Sequence, residues 1–579
     1  MWQVYGGSYG YPYYGRTYTL ANEPFGCPVL PLAEAAAAGL APSLTPAQSM
    51  ETEIECGIYG SRNPFRLLGA TGVSIPRRQF LVAALGAPAV FSQHPVSREK
   101  ILGLYVHEHW PYHHPYAART WTLDDWRGYA GAAKLIGYNT VMFWPVIETM
   151  PDPLLPSDRA SLEKHGAVTR MLKKDFGMRV IVTVCPNVAA VDAEAANAPF
   201  EKRHFFYCDR RVDPRSAPAV AAMMAGRLKR LEPLKEMDGL AVIDSDPGGY
   251  PGSGNADFVA LLGEYRKMLN KLRPGIELLY WMHAGWAAYG RFYQTGEFAP
   301  GTPAEFADTL ARLQKLNPEP WGMATGRLAD ASQAGLGARA IALNYGRIES
   351  EPSFPMTNFG DDRAHEGGKT TAARGVMGNA QTHCIQLPNT FAFARGVQGL
   401  PATRADYVEF ANRLLAGRGE SVVHAWEALA GKGAAAMRKQ ADSLSRIVNE
   451  PLPTGDLKGF LFGSPQRFVQ DLILQLRLRA SAEDFFAAVE QKRSVRQTFG
   501  TFLDAAEGWQ KQHGYENRWR WPELQKATAQ LHSSQIDDAW EPAIPMTGFA
   551  KVKRRYELTE SMTPRLLAAM RETWGKMPD

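Results

Sequence analysis

Asp244 and Asp246 stand two residues apart where the apolar run Leu240–Ile243 gives way to Pro247-Gly248-Gly249. Strand side chains alternate faces, so this spacing puts both carboxyls on one side, and the Pro-Gly-Gly turn stops the strand where a loop can approach a ligand. Two carboxyls held together can divide acid and base work if their surroundings push their pKa values apart. The plainer alternative is that one aspartate caps the next helix and the other is solvated. Glu148, shortly after the run Thr140–Trp144, is a third carboxyl that could serve opposite Asp246.

The elements that would position these groups form an alternating pattern. Strands are expected at Ile101–Val106, Thr140–Trp144, Arg179–Val184, Leu240–Ile243, Ile276–Trp281, Trp321–Thr325, Ala340–Tyr345 and Cys384–Leu387. Helical patterns fall between them: one opened by Thr122 with Asp124 and Asp125 in its first turn, then Asp158–Phe176, Pro218–Lys235, Ala256–Leu272 and Pro303–Leu316. Eight strands with intervening helices fit an α/β fold, the (β/α)8 TIM barrel, over residues 94–400. A doubly wound sheet is the competitor, but no Gly-rich phosphate loop follows the first strand. Residues 401–579 show helical periodicity only, at 403–417, 422–429, 434–448, 465–478, 482–492 and 563–573, which predicts an all-helical C-terminal domain.

Residues following the strands suit a sugar, which needs flat apolar faces for its ring and hydrogen bonds for its hydroxyls. They are His107, His109 and Trp110 after strand one, Trp144 after strand two, and Asn187 after strand three. Strand five adds Trp281 and His283, strand seven Asn344, Tyr345 and Arg347, and strand eight Gln386 and Asn389. Each alone reads as packing or a satisfied hydrogen-bonder; their shared place at the catalytic end of a barrel is the signal.

In this layout, over roughly residues 100–400, the chain resembles (β/α)8-barrel glycoside hydrolases of the hexosaminidase-like group, which carry an acidic pair at the end of the fourth strand. The resemblance implies Asp246 as general acid/base and Asp244 as the orienter of a 2-acetamido group. Asn344 and Tyr345 would contact that group or the reacting centre. The pair here is Asp-Ser-Asp instead of the commoner adjacent Asp-Glu. Two alternatives stay open. His107, His109 and His283 stand where amidohydrolase-like barrels place metal ligands, though no His follows strand six and no Asp closes strand eight. The same aromatics would also serve a non-catalytic carbohydrate-binding barrel.

The 579 residues carry a formal charge of +5 with no basic stripe interleaved with aromatics, so nucleic acid is not an expected partner; an oligosaccharide or glycoconjugate is. No cofactor or metal is called for. Residues 94–579, the part expected to fold, have no Gly-x-Ser-x-Gly, His-Glu-x-x-His, Walker or Cys-x-x-Cys motif. Its five cysteines include an odd three, Cys185, Cys208 and Cys384, in the part expected to fold, which is no disulfide framework. Arg77-Arg78-Gln79-Phe80-Leu81 and the apolar stretch after it, with Ala87-Pro88-Ala89 as cleavage site, resemble a twin-arginine signal over 73–93. That predicts a bacterial protein exported to the periplasm or beyond, without a membrane anchor after processing. The Tyr-, Gly-, Ala- and Pro-rich residues 1–72 read as a disordered extension.

Overall fold

Pro95–Asp579 make one compact unit, seen in a computed structural model that describes residues 100–578 apart from 204–209, 246, 296–298, 350–358, 360–361, 432, 515–520 and 541–561. The expected extension 1–72, the twin-arginine segment, Cys208 and Asp246 all lie outside the described residues.

Eight parallel strands close into a barrel: β1 Ile101–Val106, β2 Thr140–Phe143, β3 Arg179–Val184, β4 Gly239–Ile243, β5 Glu277–Met282, β6 Trp321–Thr325, β7 Ala340–Asn344 and β8 Gly375–Ala380. Each pairs with its sequence neighbour and β8 pairs with β1. Apolar side chains at almost every position explain why these runs become strands buried on both faces, inside by one another and outside by helices. The protein is thus a (β/α)8 TIM barrel followed by a helical region.

Seven strands sit within a residue or so of their expected positions. The eighth is a correction: Cys384–Leu387 is a buried turn entering the helix Leu387–Val397, and β8 lies earlier. Gly375-Val-Met-Gly-Asn-Ala has weak strand propensity, and its glycines answer to packing. A Cβ on Gly375 (φ +114) would meet the Ile101 carbonyl oxygen at 2.1 Å, and one on Gly378 would meet Ile348 Cδ1 at 2.7 Å.

Helices follow the strands as their caps direct. Leu123–Leu135 opens with a capping box in which the Thr122 hydroxyl and the Asp125 carboxylate satisfy one another's backbone N–H, a device worth about 1 kcal/mol. The same arrangement opens Pro303–Leu316 from Thr302 and Arg404–Leu414 from Thr403. At the N-terminal end of the barrel Glu277 accepts two bonds from Arg374, at 2.6 and 2.9 Å, and pairs with Arg179. This closes the end opposite the strand C-termini with charge satisfied in place.

The C-terminal helices pack against one side of the barrel. Phe391 stacks on Phe410 with centroids 4.5 Å apart, Trp121 lies 4.7 Å from Phe462, and Tyr116 donates to Asp471 at 2.5 Å. The helix patterns 465–478 and 482–492 are one continuous helix, Pro465–Glu490, and a further helix, Arg496–His513, follows. Among the described residues no helix is long and apolar enough to cross a membrane.

Candidate active site

The pleat decides which side chains enter the barrel. A Cβ on Gly103 would collide with Met377 Cγ at 2.6 Å, so these paired residues share a face, and the contact of Tyr105 with Trp281 of a non-adjacent strand makes that face the inner one. Counting by twos from this pair puts Tyr105 and His107, Leu279 and Trp281, Leu343 and Tyr345, and Asn379 on the inner face. Their rings meet at the C-terminal mouth. Tyr105 lies 4.4 Å from His107 and 5.2 Å, edge-on, from Trp281; Trp144 lies 6.2 Å from Trp281 and 4.5 Å from His109; His107 lies 5.7 Å from Tyr345, which lies 6.5 Å from His283. The expected residues His107, Trp144, Trp281, His283 and Tyr345 are therefore brought together, and Trp110 joins them beside His109.

Polar groups in this ring are tied to one another. The His107 and His109 Nδ1 atoms are 3.2 Å apart, and His107 Nε2 is 3.3 Å from the Tyr345 hydroxyl. Burial first, then the neighbouring His107 and Arg119, hold the His109 pKa well below its ordinary value, so its ring is neutral at neutral pH. His283 is exposed at the rim.

Of the carboxyls, Glu148 lies in a short turn after β2 and is 2 % exposed. Trp144 Nε1 donates to one oxygen at 3.1 Å and the Cys185 N–H to the other at 2.5 Å. Desolvation raises its pKa against the lowering pull of Arg227 and these donors. Glu148 also lines a cleft of about 590 Å³ with Arg210, Arg211, Arg227, Arg230 and Tyr250.

Asp244 does not stand free at the mouth. It shares parity with Leu240 and Val242, and its oxygens accept from the Tyr280 hydroxyl at 2.8 Å, the Ser245 hydroxyl at 2.8 Å and the His283 N–H at 3.2 Å. The Tyr280 ring lies 5.5 Å from Phe258 of the helix Asn255–Leu272, so this network sits on the helix-facing side of the barrel. The expectation that Asp244 projects toward substrate is corrected accordingly, because the acidic stretch begins on an outward-facing position. Asp246 lies outside the described residues.

Three amides expected at the site hold backbone instead. Asn344 faces outward and donates to Thr370 O at 2.7 Å and to Gly367 O. Asn389, displaced with the strand-eight assignment, lies in the helix Leu387–Val397 and donates to Ile348 O at 2.8 Å. Asn187 donates to Val212 O and Gly249 O, both at 2.9 Å, tying the β3 loop to the β4 loop. Arg347 packs against Gly367, whose Cβ would stand 2.6 Å from its own. Gln386 is fully buried at the start of that same helix.

In place of these, the true β8 brings Asn379 and Gln381 to the mouth. Asn379 pairs with Tyr105, and Gln381 accepts from Trp110 Nε1 at 2.9 Å. Two amides spaced i, i+2 in Asn379-Ala380-Gln381 are the signal that a correct strand placement would have supplied. Among the described residues no group of three or more His, Cys, Asp or Glu side chains is placed to hold a metal ion.

No family model matches the chain, and no curated protein does. Solved structures similar to it include CpGH84D, at 11 % identity over 82 % of this chain and 70 % of that one, with a TM-score of 0.34. The Thermobaculum terrenum O-GlcNAc hydrolase, in mutant form, is 9 % identical over 82 % and 95 %, with a TM-score of 0.33. A GH138 enzyme targeting pectin rhamnogalacturonan II is 9 % identical over 72 % and 63 %, with a TM-score of 0.32. These are likenesses of layout, and no residue of this chain takes a role from them.

Proposed function

We propose that the protein is an exported glycoside hydrolase that seats a sugar ring in the barrel mouth. The observation that carries this reading is the continuous ring of Tyr105, His107, Trp144, Trp281 and Tyr345 beside a buried carboxyl, Glu148, whose pKa is raised. Aromatic faces suit the apolar face of a pyranose, and a carboxyl whose pKa burial raises holds its proton more readily and can give it to a departing glycosidic oxygen. Trp144 Nε1 and the Cys185 N–H would hold the carboxylate that remains.

In this proposal Asp246 and Glu148 form the working pair, Asp246 as acid/base or nucleophile. Asp244 is a positioning residue, since its oxygens are occupied by Tyr280, Ser245 and His283. Glycans carrying N-acetylhexosamine are the first substrates to try. The test is Asp246→Asn beside Glu148→Gln on aryl glycosides and on natural disaccharides. A general acid lost by substitution costs ~10²- to 10⁴-fold on poor leaving groups and much less on good ones. Equal, small losses on every leaving group would remove both residues from that role.

The second reading, a binding barrel without turnover, is favoured by one observation: the Glu148 and Asp244 carboxyls are both already engaged by protein donors. It predicts saccharide binding with no bond cleavage under any condition. A metal-dependent hydrolase would require stoichiometric zinc or iron lost together with activity on chelation.

A further inference from the structure

The geometry points to the side-chain amides of Asn379 and Gln381 as a pair of donors that read the oxygens of a polyhydroxylated ring in the barrel mouth; this rests on the glycan reading above. Both side chains are buried, Asn379 at 0 % and Gln381 at 2 % exposure. Their orientation is set by neighbours that can only donate. The Gly346 N–H reaches Asn379 Oδ1 at 2.6 Å, and the Trp110 indole N–H reaches Gln381 Oε1 at 2.9 Å. Flipping either amide would set N–H against N–H, so each NH₂ must point the other way.

Among the described residues neither NH₂ has an acceptor: Asn379 Nδ2 and Gln381 Nε2 are both buried without a hydrogen-bond partner there. A buried amide left this way costs free energy that an apolar residue of the same size would avoid, so two on one strand end call for an acceptor that arrives from outside. Their place says what it is. Asn379 lies on the inner face opposite Tyr105, and Gln381, just past the strand end, lies beside Trp110. They stand against the same aromatic ring that would take the flat face of the solute. Flat apolar walls with two N–H donors at one edge match a ring bearing hydroxyl, carbonyl or carboxylate oxygens.

Asn379→Asp and Gln381→Glu separate this role from support of the fold. Each keeps the oxygen that accepts from Gly346 or Trp110 and replaces only the NH₂ with a second acceptor. Saccharide binding to the full-length protein would be measured by ligand-observed NMR at mildly alkaline pH. The panel is galactose, N-acetylglucosamine and galacturonate, which present hydroxyl, acetamido and carboxylate oxygens respectively. The expected result is binding of at least one by the wild type and ~10-fold or greater weakening in each variant, with the thermal midpoint and circular dichroism of a folded protein. The member weakened most names the oxygen that is read. Wild-type binding retained unchanged in both folded variants overturns the inference. Wild-type protein that binds none of the panel overturns the glycan reading and this inference with it. If Asn379→Asp does not fold, Gln381→Glu and Gln381→Met carry the test, since among the described residues the side-chain bond at stake there is the one to the Trp110 indole.

Discussion

Tyr280 on β5 donates its hydroxyl to Asp244 at the end of β4 at 2.8 Å, while the main-chain N–H of His283 reaches both carboxylate oxygens at 3.2 Å. The two strand ends are fastened by one carboxylate, and His283 is set at the rim by the same bond. Burial, followed by the charge of Asp244, pushes the Tyr280 pKa well up, so the phenol remains a donor across the working range.

Asp244 and Tyr280 should therefore act through structure. Tyr280→Phe is expected to lose ~1–3 kcal/mol of stability, and Asp244→Ala more, because its removal orphans several buried donors. Denaturant unfolding measures this. An Asp244→Asn variant with native stability but ~10²-fold lower turnover would instead place Asp244 in the chemistry.

Glu148 has a pKa raised by burial, so the folded protein holds its proton more tightly than the unfolded chain. Stability then falls as pH rises from the ordinary carboxyl value of 4.5 through the raised folded value, because the unfolded chain ionises first. Glu148→Gln should flatten that part of the stability profile and abolish the upper, acid-catalyst limb of the pH–rate curve. An unchanged upper limb would free Glu148 from the role of general acid.

His383 gives the opposite slope. Fully buried, with Tyr129 2.6 Å from its Nδ1, it has a pKa lowered to about 3 by desolvation first and then by His107. Below its ordinary value of 6.5 the unfolded chain takes a proton that the folded one refuses, so stability falls as pH drops from 6.5 toward about 3. The slope for one such group approaches about 1.4 kcal/mol per pH unit. His383→Gln should remove one proton's worth of that slope in unfolding curves taken at stepped pH.

Export is tested apart from chemistry. Replacing Arg77 and Arg78 together by Lys should hold the protein in the cytoplasm of a bacterial host, read by fractionation and processed mass. A processed double variant outside the inner membrane would remove the twin-arginine reading.

Much of the barrel was legible because apolar strands buried on both faces stand out between capped helices; Thr122 and Thr403 announced their helices by side chains that bond three residues on. Two features escaped for physical reasons. In β8 the glycines serve close packing against Ile101, Ile348 and Phe393, which no local propensity reveals, and with it went Asn379 and Gln381. For Asp244, the two-residue spacing to Asp246 carried no information on which face of the barrel Asp244 takes. The deciding fact is the register that sets Ile243 opposite Trp281, leaving Asp244 to the helix-facing layer with Tyr280. The helix Pro465–Glu490 was read as two because its polar residues interrupt the apolar stripe near Ser481, itself buried with its hydroxyl bonded to Leu478 O.

The central claim is that the mouth ringed by Tyr105, Trp144 and Trp281 breaks glycosidic bonds with Glu148 and Asp246. The most direct measurement is release of reducing sugar or aryl leaving group by the purified full-length protein across a panel of aryl glycosides and glycan digests, N-acetylglucosaminides and N-acetylgalactosaminides included. The account predicts cleavage of at least one member, lost by ~10²-fold or more in Glu148→Gln or Asp246→Asn while both stay folded. No cleavage of any member by the wild type, with saccharide binding intact, would contradict it and make the barrel a binding protein.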